Sequence, residues 1–365
     1  MKKILFVLFA TLFVAGCCNE ELGEYYPEIN THELHYISRS GNLVEFNDDA
    51  FDAPIISNIY DEYSGGVVNF ASSLRRIGFL GSIDITSITI PTTVTTFDGN
   101  PFRNCKNLAR FISKYSTSDG YALVCDSELI ALARNYRGEN YAVPYGVKAI
   151  GEYAMSGALI KSVTIPNSVA KIVDRAFYDC QKLEVLTLPE RIEVLGREVC
   201  VDCINLKEVV LPVSFILDSD FAGFVGCYNL EKFSGQNVSA DGRCLVVNNT
   251  IYAFAPKDIQ EYTIPAGIKA VAARSFAECD RVQMITIPST VESLGEGAFY
   301  NCSRLSEVYL KSTTPPAIGS GVGSYDLFGN VASDLVIYVP SSSLSSYTND
   351  PNWARYGKYI KGYNY

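Results

Sequence analysis

Residues 162–184 read SVTIPNSVAKIVDRAFYDCQKLE, and residues 185–207 repeat the pattern as VLTLPERIEVLGREVCVDCINLK. A fixed period of about 23 residues is typical of stacked supersecondary units, which build a long surface rather than an enclosed pocket. The sequence therefore predicts a repeat solenoid and favours a binding function. The fifth residue of both stretches is a proline, which we call the motif proline. It recurs at Pro166, Pro189, Pro212, Pro265 and Pro288.

Each unit contains two short segments that are typical of β-strands. The first ends at the motif proline, which cannot donate to a neighbouring strand, and the second is a V-x-x-I segment just after it. An A-F-x-x-C segment follows and predicts a single helical turn or tight bend. The side chain at the phenylalanine position of this segment should fill the core. That position is occupied by Phe177, Phe224, Phe276 and Phe299, and in two other units by Met155 and Cys200.

The interval between motif prolines grows to 53 residues twice, after Pro91 and after Pro212. Both long intervals contain Asp-Gly followed by two apolar runs. We predict that each adds a β-hairpin to one unit, with turns at residues 125–128 and 248–250. The fold class is then mostly β with short helical turns, two enlarged units and a cap at each end.

Six cysteines share one motif position and should form a column along the solenoid. In an exported protein with eleven cysteines, disulfides are one interpretation, since neighbouring turns could bring two sulfurs close together. The other is that each thiol packs as a small buried hydrophobe, as Ala158 would at the same position. We favour free thiols at Cys105, Cys180, Cys203, Cys227, Cys279 and Cys302.

The N-terminus has the features of an export signal. Lys2 and Lys3 precede an apolar stretch that is too short to span a bilayer and ends in Val-Ala-Gly before Cys17. It resembles the lipobox of bacterial lipoproteins, which implies lipid on Cys17; an ordinary secretory signal is the alternative. The acidic residues that follow resemble the surface-export signal of Bacteroides lipoproteins, which implies exposure at the outer membrane.

Composition changes divide the rest of the chain. Residues 34–37 and 43–46 predict a hairpin within an N-terminal cap. Near the C-terminus we expect a final strand and a short amphipathic helix. The predicted segments are signal peptide 1–16, tether 17–30, N-terminal cap 31–66, solenoid 67–312, and last repeat with C-terminal cap 313–365.

No residue pattern indicates catalysis, a metal site or a cofactor. His32 and His35 are the only histidines, and on a strand residues three apart point to opposite faces. Cys200 and Cys203 have redox spacing but occupy the phenylalanine and cysteine positions of the motif, so packing explains both. The net charge of −10 and the absence of a basic run argue against a nucleic-acid partner.

The outward positions of the first strand series form the candidate binding face. A column of threonines is good β-sheet surface chemistry, and it could equally be part of a flat recognition surface. The 24 tyrosines also suit recognition, because tyrosine contributes large contact area at low entropy loss. The candidate residues are Thr89, Thr164, Thr187, Thr286 and Tyr309.

The x-I-P-x-x-V and A-F-x-x-C elements, the Asp-Gly hairpins and a T-P-P…I-Y-V-P…W ending together resemble the BspA-like leucine-rich repeats of Bacteroides-type surface lipoproteins. The likeness covers about residues 31–365. It implies a leucine-rich-repeat fold, adhesion to extracellular proteins or other bacteria, and no catalytic residues.

We therefore expect a monomeric, lipid-anchored surface protein that binds an extracellular protein or glycan across one extended face, contacts membrane only through its lipid and is not an enzyme. Two alternatives remain. One is a hydrolase with a carboxylate pair on the concave face, and the other is an accessory structural subunit of an outer-membrane complex.

The cysteine interpretation predicts that most repeat thiols are free. Titrating the protein with a thiol reagent after denaturation without reductant should label most of the six column cysteines. Labelling that appears only after reduction would show that the column is disulfide-bonded.

Overall fold

The chain winds into a β-solenoid of about twelve turns with few helices, which confirms the predicted fold class. Each regular turn has three sides: a strand of one sheet (sheet 1), a shorter strand of a second sheet (sheet 2) and a tight turn. Residues 1–29, with Cys17 and most of the predicted tether, lie outside the described residues. This computed structural model describes residues 30–213, 215–217, 220–319 and 325–364.

Sheet 1 contains the strands that precede the motif proline, and these are parallel from turn to turn. Alternate side chains point inward, so Val163, Leu186 and Val209 are buried. Within the described residues its hydrogen bonding runs in three blocks. The strands are Ile85–Thr89, Arg110–Ile112, Asn140–Ala142, Ser162–Thr164, Val185–Thr187, Glu208–Leu211, Lys232–Gly235, Glu261–Thr263, Met284–Ile287, Glu307–Leu310, Val336–Pro340 and Ile360–Tyr363.

Sheet 2 contains the V-x-x-I strands and both predicted hairpins. The hairpin turns lie at Asp126-Ser127 and Asn248-Asn249, where positive φ suits a tight antiparallel turn. The second strand of each hairpin pairs in parallel with the next turn. The strands are Arg76–Ile77, Thr96–Phe97, Ala122–Cys125, Glu128–Leu132, Ala149–Ile150, Lys171–Ile172, Val194–Leu195, Ile216–Leu217, Cys244–Val247, Thr250–Phe254, Ala270–Val271, Ser293–Leu294 and Ala317–Ile318.

The third side is a column of tight turns at the A-F-x-x-C motif, not of helices. In one of them, the backbone N–H groups of Arg175, Phe177 and Asp179 each donate to a carbonyl of the next turn at 2.9 Å. The intervening N–H groups bond within the turn, as Tyr178 does to the Arg175 carbonyl at 3.0 Å. The turn thus joins its neighbours much as a strand does.

This pairing requires left-handed backbone at two positions of each turn. Arg175 has a φ of 57° and Asp179 a φ of 58°. Residues other than glycine adopt this region at a cost, so the surrounding ladder must hold them there. The same conformation recurs at Tyr153, Glu198, Asp202, Arg274, Glu278 and Asn301, and at Gly157, Gly226 and Gly297.

The core is a stack of rings and thiols. The ring of Phe276 lies 4.7 Å from that of Phe254 and 5.4 Å from that of Phe299, and Phe299 stacks on Phe328 at 5.6 Å. The predicted core residues Phe177, Phe224, Met155 and Cys200 are all buried as well.

The six column cysteines are buried and free. Four of them also donate a hydrogen bond from Sγ to a carbonyl of the preceding turn at 3.0–3.1 Å, which the motif alone does not indicate. Cys203, for example, donates to the carbonyl of Phe177. The thiol therefore satisfies a buried backbone acceptor, and alanine at this position could not.

The N-terminal cap differs from the predicted hairpin. Strand Glu33–Ser38 pairs with Gly65–Phe70 on one side and with Ile85–Thr89 on the other, both antiparallel, and Ile55–Asp61 pairs with Gly65–Phe70. Residues 43–46 form no strand because both edges of Glu33–Ser38 are taken. They are held by side chains instead: the Val44 N–H donates to the Tyr36 hydroxyl, and Asn58 Nδ2 donates to the Val44 carbonyl. A 3-10 turn, Asp48–Ala50, follows.

At the C-terminal end, helix Leu344–Asn349 follows strand Val336–Pro340, as predicted. The last strand, Ile360–Tyr363, was not predicted; it pairs in parallel with Val336–Pro340. Trp353 is fully buried and its Nε1 donates to the Pro316 carbonyl at 2.8 Å. Two 3-10 segments, Ser341–Ser343 and Ala354–Tyr359, complete this end.

Across the described residues, none of the helices has the length and apolar character needed to cross a membrane.

The ring stack predicts a large loss of stability when one ring is removed. Phe276→Ala should destabilise the protein by about 3–5 kcal/mol, because the cavity left between Phe254 and Phe299 cannot close fully. The urea-unfolding midpoint measures this. Tyr145→Ala, at a side chain that is 93% exposed, is the matched control and should leave the midpoint unchanged. Equal midpoints for the two variants would contradict the stacked core.

Candidate functional site

The structure places the predicted binding-face residues on the outward side of sheet 1, but in three separate blocks. Thr89 lies in the first block, opposite His35 of the N-terminal cap. Thr164 and Thr187 lie on successive strands of the second block. Thr286 and Tyr309 lie in register on successive strands of the third. The predicted column is therefore not one continuous surface.

The third block adds two residues to this face. Thr263 pairs with Thr286 on one side of the predicted residues, and Tyr338 pairs with Tyr309 on the other. The strand motif carried the signal for both, because each lies two residues before a motif proline, Pro265 or Pro340. Four consecutive strands thus present Thr-Thr-Tyr-Tyr in register.

Three tyrosines cluster at the end of this row, and we call them the tyrosine cluster: Tyr309, Tyr338 and Tyr363. The rings of Tyr309 and Tyr338 stack with centroids 4.6 Å apart and an interplanar angle of 18°. Tyr363 stands edge-on to both, at 5.6 and 5.8 Å, and is 42% exposed. The last strand, which the sequence did not predict, brings Tyr363 to the other two.

Glu307 lies beside the cluster on the same strand as Tyr309. The Tyr309 hydroxyl donates to Glu307 Oε2 at 2.8 Å. Burial by its neighbours, and then this hydrogen bond to a carboxylate, raise the pKa of Tyr309. The hydroxyl therefore stays protonated at neutral pH and is engaged with the carboxylate.

We call Thr263 and Thr286 the threonine shelf. Both side chains face outward, Thr263 exposed and Thr286 half-buried. Adjacent strands are about 4.8 Å apart, so the shelf is two strands wide before the surface rises at Tyr309. The surface of the third block is therefore a step, with an aromatic wall and a floor of two threonines that continues along the strands to Glu261 and Met284.

A row of alternating charges borders sheet 1 where its strands begin. Lys161 pairs with Glu139 and Lys207 pairs with Glu184, each at 2.7 Å, and Lys257 pairs with Glu231. The hydrogen bond from Lys207 holds the pKa of Glu184 below its ordinary value. Because signs alternate from turn to turn, this edge carries no field that would attract a polyanion.

A charged groove of about 290 Å³ lies between the second and third blocks. Glu198, at its centre, is only 17% exposed and binds Arg175 at 2.6 Å and Arg274 at 2.9 Å. Burial opposes ionisation of Glu198, but hydrogen bonds from both arginines outweigh it and hold its pKa below the ordinary value. Glu198 is therefore a fixed anion and a poor proton donor.

Burial raises the pKa of Glu128, and Asp202 is the other described carboxylate whose environment would suit an acid catalyst. Burial, and then the nearby charge of Glu278, raise its pKa, and Glu278 accepts from the Tyr228 hydroxyl at 3.0 Å. The adjoining cavity is lined by Glu278 and Cys279, among others, and has a volume of about 10 Å³. That is room for about one water molecule, not for a substrate.

The remaining sequence candidates have structural roles. His35 Nε2 lies 3.0 Å from Glu33, whereas His32 contacts Asn30 and Thr31. Burial raises the pKa of Cys200, so its thiol is not activated. Among the described residues, no three His, Cys, Asp or Glu side chains are grouped so that they could hold a metal ion.

Two protein-family models match the chain. The BspA type leucine rich repeat region matches in six copies, over residues 30–123, 134–240 and 249–322. The prokaryotic membrane lipoprotein lipid attachment site matches residues 1–17. Among curated proteins, none matches this chain.

Solved structures of bacterial leucine-rich repeat proteins also match this chain. A leucine-rich repeat protein from Bacteroides ovatus is 19% identical, with a TM-score of 0.43 over 83% of this chain and 80% of that one. A leucine rich cell surface protein from Faecalibacterium prausnitzii is 23% identical, with a TM-score of 0.39 over 65% of this chain and 52% of that one. A protein from Eubacterium ventriosum is 20% identical, with a TM-score of 0.39 over 73% and 61%. This chain thus spans about half to three-fifths of the last two.

Glu198 makes the stability of the groove depend on pH. Its folded pKa lies below the ordinary 4.5, so its ion pairs stabilise the protein above that pH and are lost as pH falls through the folded pKa. Glu198→Gln should lower the thermal midpoint at pH 7 and flatten its decline below about pH 4.5.

The control is Glu292→Gln, which breaks a surface pair with Lys269 at a side chain that is 70% exposed and should change little. Identical midpoint-versus-pH curves for Glu198→Gln and the unmodified protein would contradict the role of Glu198.

Proposed function

Because this chain belongs to the BspA-type leucine-rich repeat family, we propose that it is a monomeric, lipid-anchored adhesin of the bacterial outer membrane. It faces the exterior and holds an extracellular protein or glycan against the outward side of sheet 1. The family assignment rests on repeats that match three quarters of the chain.

The anchor follows from the N-terminus. The lipid attachment match ends at Cys17, and acyl chains on one residue contribute about 0.8 kcal/mol per buried methylene. Residues 17–30 then serve as a tether that holds the solenoid away from the bilayer. A solenoid on a short tether suits capture of ligands outside the cell.

The tyrosine cluster is the observation that carries the binding role. Aromatic side chains with a partly exposed ring and a polar end are enriched where proteins recognise ligands, because they contribute contact area at low entropy loss. Three of them meet here on a sheet surface that the core does not need. We therefore propose the third block as the main contact site.

We propose no enzymatic activity. Glu198 is held ionised between two arginines, and the cavity beside Glu278 is too small for a substrate. These features weigh against the carboxylate-pair hydrolase. An accessory role in an outer-membrane complex is an alternative that co-purification from membranes would detect.

The proposal predicts that cells carrying the lipidated protein bind ligands and that this binding depends on Cys17. Cells expressing the full chain should adhere saturably to at least one surface coated with matrix protein, mucin or another bacterium. Cys17→Ala should abolish both acyl labelling and cell adhesion, whereas Cys18→Ala, the neighbouring control, should leave both intact. Adhesion to none of the coated surfaces would refute the binding role, and unchanged acyl labelling in Cys17→Ala would refute the anchor.

A further inference from the structure

We infer that the ligand of the third block is a neutral glycan, whose sugar ring lies on the threonine shelf and stacks against Tyr309. This inference rests on the proposed binding function and specifies its ligand class. Three properties of the step formed by the threonine shelf and the tyrosine cluster support it. These are its shape, the position of an aromatic ring next to hydrogen-bonding side chains, and its charge.

The step has the right shape for a ring that stands against a wall. Tyr338 covers one face of the Tyr309 ring, and Tyr363 touches its edge. The other face is turned towards Thr286, whose side chain is too short to cover a phenol ring. A ligand ring can therefore lie over Thr286 and Thr263 with its face against Tyr309.

The chemistry of the step matches a sugar. A pyranose has an apolar face of C–H groups, which packs on an aromatic ring, and a rim of hydroxyls that need hydrogen-bond partners. Glu307 lies at the base of the wall and Glu261 on the strand that carries Thr263, and an ionised carboxylate can accept several hydrogen bonds. The threonine hydroxyls can donate and accept.

The charge of the step does not attract anionic ligands. Two carboxylates, Glu261 and Glu307, are balanced by two cations, Lys311 two residues after Tyr309 and Lys361 opposite Tyr338. The whole chain carries −10. Sulfated or sialylated chains would not be steered to the site.

A protein ligand fits the step less well. Protein interfaces depend on a few large side chains buried in a well-packed, desolvated centre. Here the floor beside the wall is mixed, with threonine hydroxyls next to the half-buried Met284, and the ring that faces it already donates its hydroxyl to Glu307. A ligand that is itself half apolar face and half hydroxyl leaves none of these groups unpaired.

The test measures binding of the full-length lipoprotein, in detergent, to immobilised hexasaccharides. The neutral probes are glucose, mannose, xylose and N-acetylglucosamine oligomers, and heparin and polysialic acid are the anionic probes. We expect saturable binding to at least one neutral probe and none to the anionic ones. Tyr309→Ala should weaken that binding at least about tenfold, whereas Tyr145→Ala, an exposed tyrosine outside the site, should not change it.

A second variant guards against misfolding of Tyr309→Ala. Thr286→Trp keeps the wall but fills the shelf, so it should also abolish binding while the unfolding midpoint stays within the range of the unmodified protein. Tyr309→Phe keeps the ring and loses the bond to Glu307, so its loss should be smaller than that of Tyr309→Ala.

The outcomes separate this inference from the proposed function. Adhesion to a protein-coated surface with no binding to any neutral probe would overturn the glycan inference and leave the adhesin proposal standing. Neutral-glycan binding that survives both Tyr309→Ala and Thr286→Trp would overturn the assignment to this step. Failure to bind any protein, cell or glycan would overturn both.

Discussion

The architecture depends on hydrogen bonds that run from one turn of the solenoid to the next on all three sides. Two sides achieve this as ordinary parallel sheets. The third achieves it at the tight turns, where alternate N–H groups leave the turn to reach the neighbouring one. That geometry requires positive φ at positions such as Arg175 and Asp179. The side chains there are consequently fixed in rows, and one row supplies Arg175, Glu198 and Arg274 to the groove.

Much of this fold could be predicted from the sequence because the core repeats. The period placed both strand series, the phenylalanine stack and the two hairpins, since each depends on contacts that recur in every unit. The left-handed positions were harder to recognise, because Arg175 and Glu198 occupy them where glycine would have been an obvious signal. Their conformation is imposed by the ladder, not by local preference.

The two ends and the candidate site were less predictable for the same reason. Residues 43–46 have the composition of a strand, but both edges of Glu33–Ser38 were already paired. Ile360–Tyr363 becomes a strand only because Val336–Pro340 offers it a free edge. Tyr309 was identifiable from its position in the motif, whereas the cluster needed that unpredicted strand to bring in Tyr363. A site built where repetition ends leaves no periodic signal.

The interruptions of the ladder have a mechanical consequence. On the proposed function, lipid is attached near one end and ligand is held near the other, so a tensile load passes through the whole stack. Within a block, backbone bonds on three sides share that load. Between Gly235 and Glu261 sheet 1 is interrupted. The junction is spanned by the backbone bond from the Lys257 N–H to the Leu230 carbonyl and by side-chain contacts such as Glu198 to Arg274 and Tyr228 to Glu278. Under shear flow the stack would extend there first, one block at a time, and dissipate force before the ligand is released.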